Sequence, residues 1–221
     1  MKKLLKFINN PKLKIILTLS ILLFTYTSIC AISYAQNISN NIAQSVFRLH
    51  VIANSDSQED QNLKYIVRDN LIEYMNVLSK NSKTKEESIQ IAKSNIKNFE
   101  KIAKETIIKH GYNYPVEVSI GNFNFPTKQY GDISLPSGMY DALKVEIGEA
   151  KGQNWWCVMF PPLCFVDVTT GIVPEESKEL MENNLGNEEF LLISENSNSP
   201  TKFKFKLIEF FTEKGIITAK K

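Results

Sequence analysis

The sequence predicts an α+β fold: two antiparallel helices packed on an antiparallel β-sheet of about four to five strands, with additional C-terminal helices. Two long segments before Gly111 repeat apolar residues at helical spacing. After Tyr114-Pro115 the texture changes to short alternating segments separated by Gly and Pro. No internal repeat interrupts either region, and 43% hydrophobic with 23% charged residues is the composition of a globular chain.

The N-terminal 35 residues read as an export segment. Lys2, Lys3, Lys6, Lys12 and Lys14 precede an uncharged stretch from Ile15 to Tyr34. Ser33 and Ala35 place small residues at −3 and −1 of a signal-peptidase site, so cleavage falls between Ala35 and Gln36. The apolar run is about 20 residues, also long enough for a retained single-span anchor. Both alternatives send the rest of the chain outward, because positive residues stay cytoplasmic. Without those five lysines the chain holds 21 basic against 24 acidic residues, which supplies no basic field for nucleic acid.

Residues 36–45, rich in Asn and Ser, are expected to form a flexible lead-in to a single domain over 46–221. Phe47, Leu49 and Val51 alternate with Arg48 and His50, as in a half-buried strand. Ser57 with Asp60 three residues on has the spacing of a helix cap. The helix from Gln58 to about Lys80 carries Leu63, Ile66, Val67, Leu71, Tyr74, Met75 and Leu78 on one face. Asn81 to Thr84 breaks it, and a second helix with Ile89, Ala92, Ile96, Phe99, Ala103 and Ile107 ends at Gly111. A four-strand meander is then predicted: Val116 to Phe125, Tyr140 to Ile147, Trp155 to Phe160 and Leu163 to Val168. Glu175 to Leu185 reads as a short helix, Glu189 to Ile193 as a weak apolar element, and Thr201 to Glu213 as a further helix.

Cys30 lies in the apolar run, leaving Cys157 and Cys164 in an oxidising compartment. A four-residue loop closed by Val158 and Leu163 sets these two cysteines opposite each other in a hairpin, where a disulfide stabilises by about 2–2.5 kcal/mol. Two unpaired buried thiols are the alternative.

Motifs for catalysis are missing: no G-x-S-x-G elbow, P-loop, H-E-x-x-H or dinucleotide fingerprint occurs. His50, Ser55 and Asp56 could be called a hydrolase triad, but triads gather positions from across a fold. Asp56 and Asp60 lack the glycine and closing glutamate of a calcium loop, and the cysteine and histidine spacing makes no zinc site. No cofactor or metal is expected. Trp155 and Trp156 are adjacent in a strand and must point to opposite faces, so one of them is a candidate partner contact.

The run Phe47 to Asn70 (FRLHVIANSDSQEDQNLKYIVRDN) resembles the opening motif of the stage II sporulation protein R family, and Tyr130 to Val168 its second signature. The resemblance implies a signalling protein, not an enzyme. Such a protein is made in the forespore of an endospore-forming bacterium and exported between the two membranes. There it triggers a membrane-embedded aspartic protease of the mother cell, which processes the precursor of the early mother-cell sigma factor. Contacts with the protease's extracytoplasmic side are expected from Arg48, His50, Asn54, Asp56, Trp155 and Trp156. The rival functions are an exported envelope-binding module and a secreted hydrolase built on His50 and Asp56.

Overall fold

The computed structural model describes residues 11–164 and 173–194, which fall into two units divided after Ile38. Helix α1, Pro11–Ser45, begins in the first unit and ends in the second. Its N-terminal part is long and apolar enough to cross a membrane, and exposes Ile15, Leu19, Leu22 and Phe24. Ala35 and Gln36 lie within this helix, so residues 36–45 are helical where a flexible lead-in is expected. In the second unit its last turns are tied down: Ile42 is fully buried, Ser45 donates to the Asn184 carbonyl, and Lys85 donates to that of Ala43. Asn and Ser content alone signals a lead-in only where no apolar residue docks.

The second unit is α+β. Its elements run β1 (Phe47–Ile52), α2 (Gln58–Ser79), α3 (Lys85–Ser94), α4 (Ile96–Lys109), β2 (Val116–Phe125), β3 (Lys128–Tyr130), β4 (Ile133–Leu135), β5 (Gly138–Ile147), β6 (Asn154–Phe160), α5 (Glu175–Asn184) and α6 (Asn187–Ile193). The main sheet has the order β2-β5-β1-β6, and β3 and β4 form a separate two-stranded ribbon between the predicted strands Val116 to Phe125 and Tyr140 to Ile147. The sheet is mixed, which corrects the all-antiparallel expectation. β1 pairs antiparallel with β6 but parallel with β5, placing Leu49 opposite Leu143 and Val51 opposite Val145. The helical crossover through α2–α4 brings the chain back as the edge strand β2, and the antiparallel return from β2 to β5 sets β5 beside β1 and parallel to it. As a central strand β1 is buried along its whole length, whereas its alternation suggests one wet face.

One face of the sheet meets the helices. Leu49, Val51, Leu143, Val145 and Cys157 pack on Leu63, Val67 and Leu71 of α2 and on Phe99, Ala103 and Ile107 of α4. Each buried Val, Leu, Ile or Phe among them contributes about 1.5–3 kcal/mol. Ser57 caps α2 by accepting from the Asp60 N–H at 3.2 Å, as its spacing predicts. The predicted second helix is two helices, broken at Asn95. That side chain donates to the Ile91 carbonyl at 2.9 Å and accepts from the Tyr74 hydroxyl at 3.0 Å, competing with the helix ladder. Gly111, at φ 85°, ends α4 in a backbone conformation that favours glycine.

The disulfide joins Cys157 and Cys164, and Leu163 N–H donates to the Val158 carbonyl across the intervening turn. The second arm predicted after Cys164, and the helix predicted at 201–213, lie outside the described residues. Helices α5 and α6 stand where the sequence puts its C-terminal apolar elements.

Candidate functional site

The two signature runs interlock. β1, from the first, lies between β5 and β6 of the second. The loop after β1 then clasps the turn that joins β5 to β6. Asn54 Oδ1 accepts from the Glu149 N–H at 2.9 Å, the Asn54 carbonyl from Lys151 N–H at 3.2 Å, and the Ala53 carbonyl from Gly152 N–H at 2.9 Å. Gly152 is required by the closeness of this approach: a β-carbon there would stand 2.2 Å from the Ser55 carbonyl oxygen. Gly148 combines φ 61° with the same crowding against Asn54.

Asp60 holds the clasp from beneath. Its carboxylate accepts from Asn54 Nδ2 at 2.8 Å and Ser55 Oγ at 2.6 Å. Burial disfavours its charge, but hydrogen bonds from Ser55, Asn54, Tyr114 and Ser57 outweigh that cost and hold the carboxyl below the usual aspartate range. Asn54 is thus committed to the loop's architecture, while Asp56 is exposed at its tip.

On the sheet face away from the α2–α4 pair, Arg48 has no exposed surface. Its guanidinium lies 4.1 Å from the centre of the Phe125 ring and 4.6 Å from that of Tyr140, and donates to the Tyr130 hydroxyl at 2.6 Å. Nε and Nη1 have no hydrogen-bond partner. His50, 6% exposed, stacks on Trp156 with ring centres 3.7 Å apart and hydrogen-bonds Asn154 Oδ1 through Nε2 at 2.6 Å. Burial pushes the imidazole pKa down, so the ring is neutral at pH 7. Arg48 and His50 therefore carry packing, and neither offers a partner appreciable surface. His50, Ser55 and Asp56 do not bond to one another as a triad: His50 is engaged by Asn154, whereas Ser55 serves Asp60. Among the described residues no group of three or more His, Cys, Asp or Glu side chains gathers as metal ligands.

Trp155 and Trp156 point to opposite faces, as the strand period requires. Trp155 turns toward α2, where Tyr65 meets it edge-on at 5.5 Å and the Arg68 guanidinium lies 4.2 Å from its ring centre. These groups wall a cleft of about 530 Å³ between α2, β3 and β6, lined also by Lys64, Lys128 and Cys164. Of the six residues expected to contact a partner, Asp56 is exposed, Asn54, Trp155 and Trp156 are partly exposed, and Arg48 and His50 are buried. Sequence reasoning missed Tyr65, Arg68 and Lys128. Lys64 and Arg68, four apart and flanking the apolar stripe of α2, were the available signal.

The family described as stage II sporulation protein R matches residues 43–170, which contain both interlocked runs. Stage II sporulation protein R of Bacillus subtilis (strain 168) is 35% identical over 184 residues, spanning 78% of this chain and 82% of that protein. No solved structure matches.

Proposed function

This chain belongs to the stage II sporulation protein R family, and we propose that it is the exported signal that switches on a membrane-embedded aspartic protease during endospore formation. Made in the forespore, it enters the space between the two membranes behind its apolar N-terminal helix. There it binds the extracytoplasmic side of the mother-cell protease, which then removes the pro-sequence from the precursor of the early mother-cell sigma factor. Activation follows if the chain binds the protease's active arrangement more tightly than its inactive one, because a ligand shifts an equilibrium only by its differential affinity.

Family membership across both interlocked runs carries the proposal. The membrane-length apolar helix supports the location. Retained, that helix tethers the signal close to one membrane; cut after Ala35, it frees the domain to diffuse across the gap. Trp155, Trp156 and Asp56 are the contacts proposed among the residues that keep some surface, with Arg48, His50 and Asn54 positioning them from within.

The test is loss and restoration in the organism that carries the chain. Removing it should leave the sigma precursor unprocessed on an immunoblot. The full chain should restore processing, and a version lacking residues 1–35 should not. Normal processing without the chain would reject the proposal.

A further inference from the structure

Three cations and no carboxylate line the cleft between α2, β3 and β6: Lys64, Arg68 and Lys128. The rest of the domain does not share this bias, since acids outnumber bases after residue 35. Lys64 is 1% exposed, and its ammonium donates to Gln61 Oε1 and the Gln153 carbonyl, both neutral. Among the described residues no carboxylate forms an ion pair with it. Burial and then the Arg68 charge lower its pKa, while Asp56 acts on it only at a distance. Arg68 stands at the rim. Its neighbour Asp69, 64% exposed, takes Nε at 2.7 Å and Nη2 at 2.6 Å and leaves Nη1 outside the pair. The indole N–H of Trp155 is buried and donates to nothing.

The ammoniums of Lys64 and Lys128, which no carboxylate pairs among the described residues, stand beside the Arg68–Asp69 pair and call for an acceptor that carries negative charge. The aromatic walls of Tyr65 and Trp155 call for something larger than a free anion, because such rings repay contact with a covering chain. Three cations are too few for nucleic acid, whose affinity comes from many phosphate contacts.

We infer that this cleft is the docking seat for an acidic polypeptide segment, whose carboxylate pairs with Arg68 beside Trp155 within the field of Lys64 and Lys128. That the segment belongs to the protease rests on the function proposed above; the chemistry of the seat does not.

Acetyl-hexaglutamate-amide is the probe, titrated into the full chain in non-ionic detergent, with acetyl-hexaglutamine-amide as its neutral twin. Trp155 and Trp156 are the chain's two tryptophans, so intrinsic emission reports on the cleft. A saturable change is expected with the glutamate peptide and none with the glutamine peptide. Affinity should fall roughly tenfold in Arg68→Ala. Lys128→Ala should weaken binding in the same direction, and Lys101→Ala, exposed on α4, should leave it unchanged. No saturable response, an equal response to both peptides, or a response that Arg68→Ala and Lys128→Ala leave intact overturns the seat. Sigma-precursor cleavage is scored separately with the wild-type chain. Cleavage without peptide binding rejects the seat and keeps the activator function, whereas peptide binding without cleavage does the reverse.

Discussion

Replacing Gly152 with alanine tests whether the two signature runs are held together by the clasp described here. The added β-carbon would stand 2.2 Å from the Ser55 carbonyl oxygen, 2.6 Å from its carbon and 2.9 Å from Ala53 Cβ, whereas ordinary contact begins at 3.4 Å. Two of those atoms are backbone, so the loop cannot yield by rotating a side chain. It must move away from the β5–β6 turn, and overpacking of this kind costs about 1–3 kcal/mol. The movement also loosens the hydrogen bonds from Gly152 and Lys151 to Ala53 and Asn54, each worth about 0.5–1.5 kcal/mol net. The combined loss is about 2–4 kcal/mol, a large share of a domain stability of about 5–15 kcal/mol. Urea unfolding of the full chain in mild detergent, followed by tryptophan emission, measures it as a lower midpoint at unchanged slope. Gly121→Ala is the matched control, because its β-carbon meets only the ring of Phe123, at 3.2 Å, and that ring can give way. Its loss should stay below about 1 kcal/mol. A Gly152→Ala loss under about 0.5 kcal/mol, or one no larger than that of Gly121→Ala, would refute the clasp.

Two further perturbations follow. Asp60 has a lowered folded-state pKa, so the unfolded chain binds the extra proton between that value and the ordinary 3.8. The stability it supplies is present above 3.8 and disappears as pH falls through the lowered pKa; Asp60→Asn should therefore be less stable than wild type at pH 7, with the gap closing in strong acid. A gap of equal size at both ends of the titration would contradict this. Cys157→Ser should cost about 2–2.5 kcal/mol in the same unfolding assay, the loop-closure value for so short a ring, and dithiothreitol should impose the same loss on wild type. Identical midpoints for oxidised and reduced protein would reject a stabilising bridge.

Local signals in the sequence matched the structure well. Ser57 and Asp60 announced the start of α2, Gly111 the end of α4, and the strand period sent Trp155 and Trp156 to opposite faces. The cysteine pair followed from the turn between Val158 and Leu163. Each of these depends on residues a few positions apart. Parallel pairing of β1 with β5 was hidden, because strand neighbours separated by three helices leave no mark in either strand's own alternation. Arg48 misled for a related reason: a charged residue on an alternating strand signals a wet face, yet Phe125, Tyr130 and Tyr140 close over it from distant positions. Asn95 broke a helix whose apolar period runs through it undisturbed, since the break comes from a side chain bonding to Ile91 and Tyr74. The cleft was hidden as well. Its cations come from α2 and β3, and only the fold brings them beside β6.

Reconstitution in a non-sporulating host tests the signalling role most directly. The full chain is co-expressed with the membrane protease and sigma precursor of the same organism, and the precursor is followed by immunoblot. Processing that requires this chain, and is lost when residues 1–35 are removed so that it stays in the cytoplasm, is the predicted result. An unprocessed precursor in cells where the chain is exported and folded beside its own protease would contradict it.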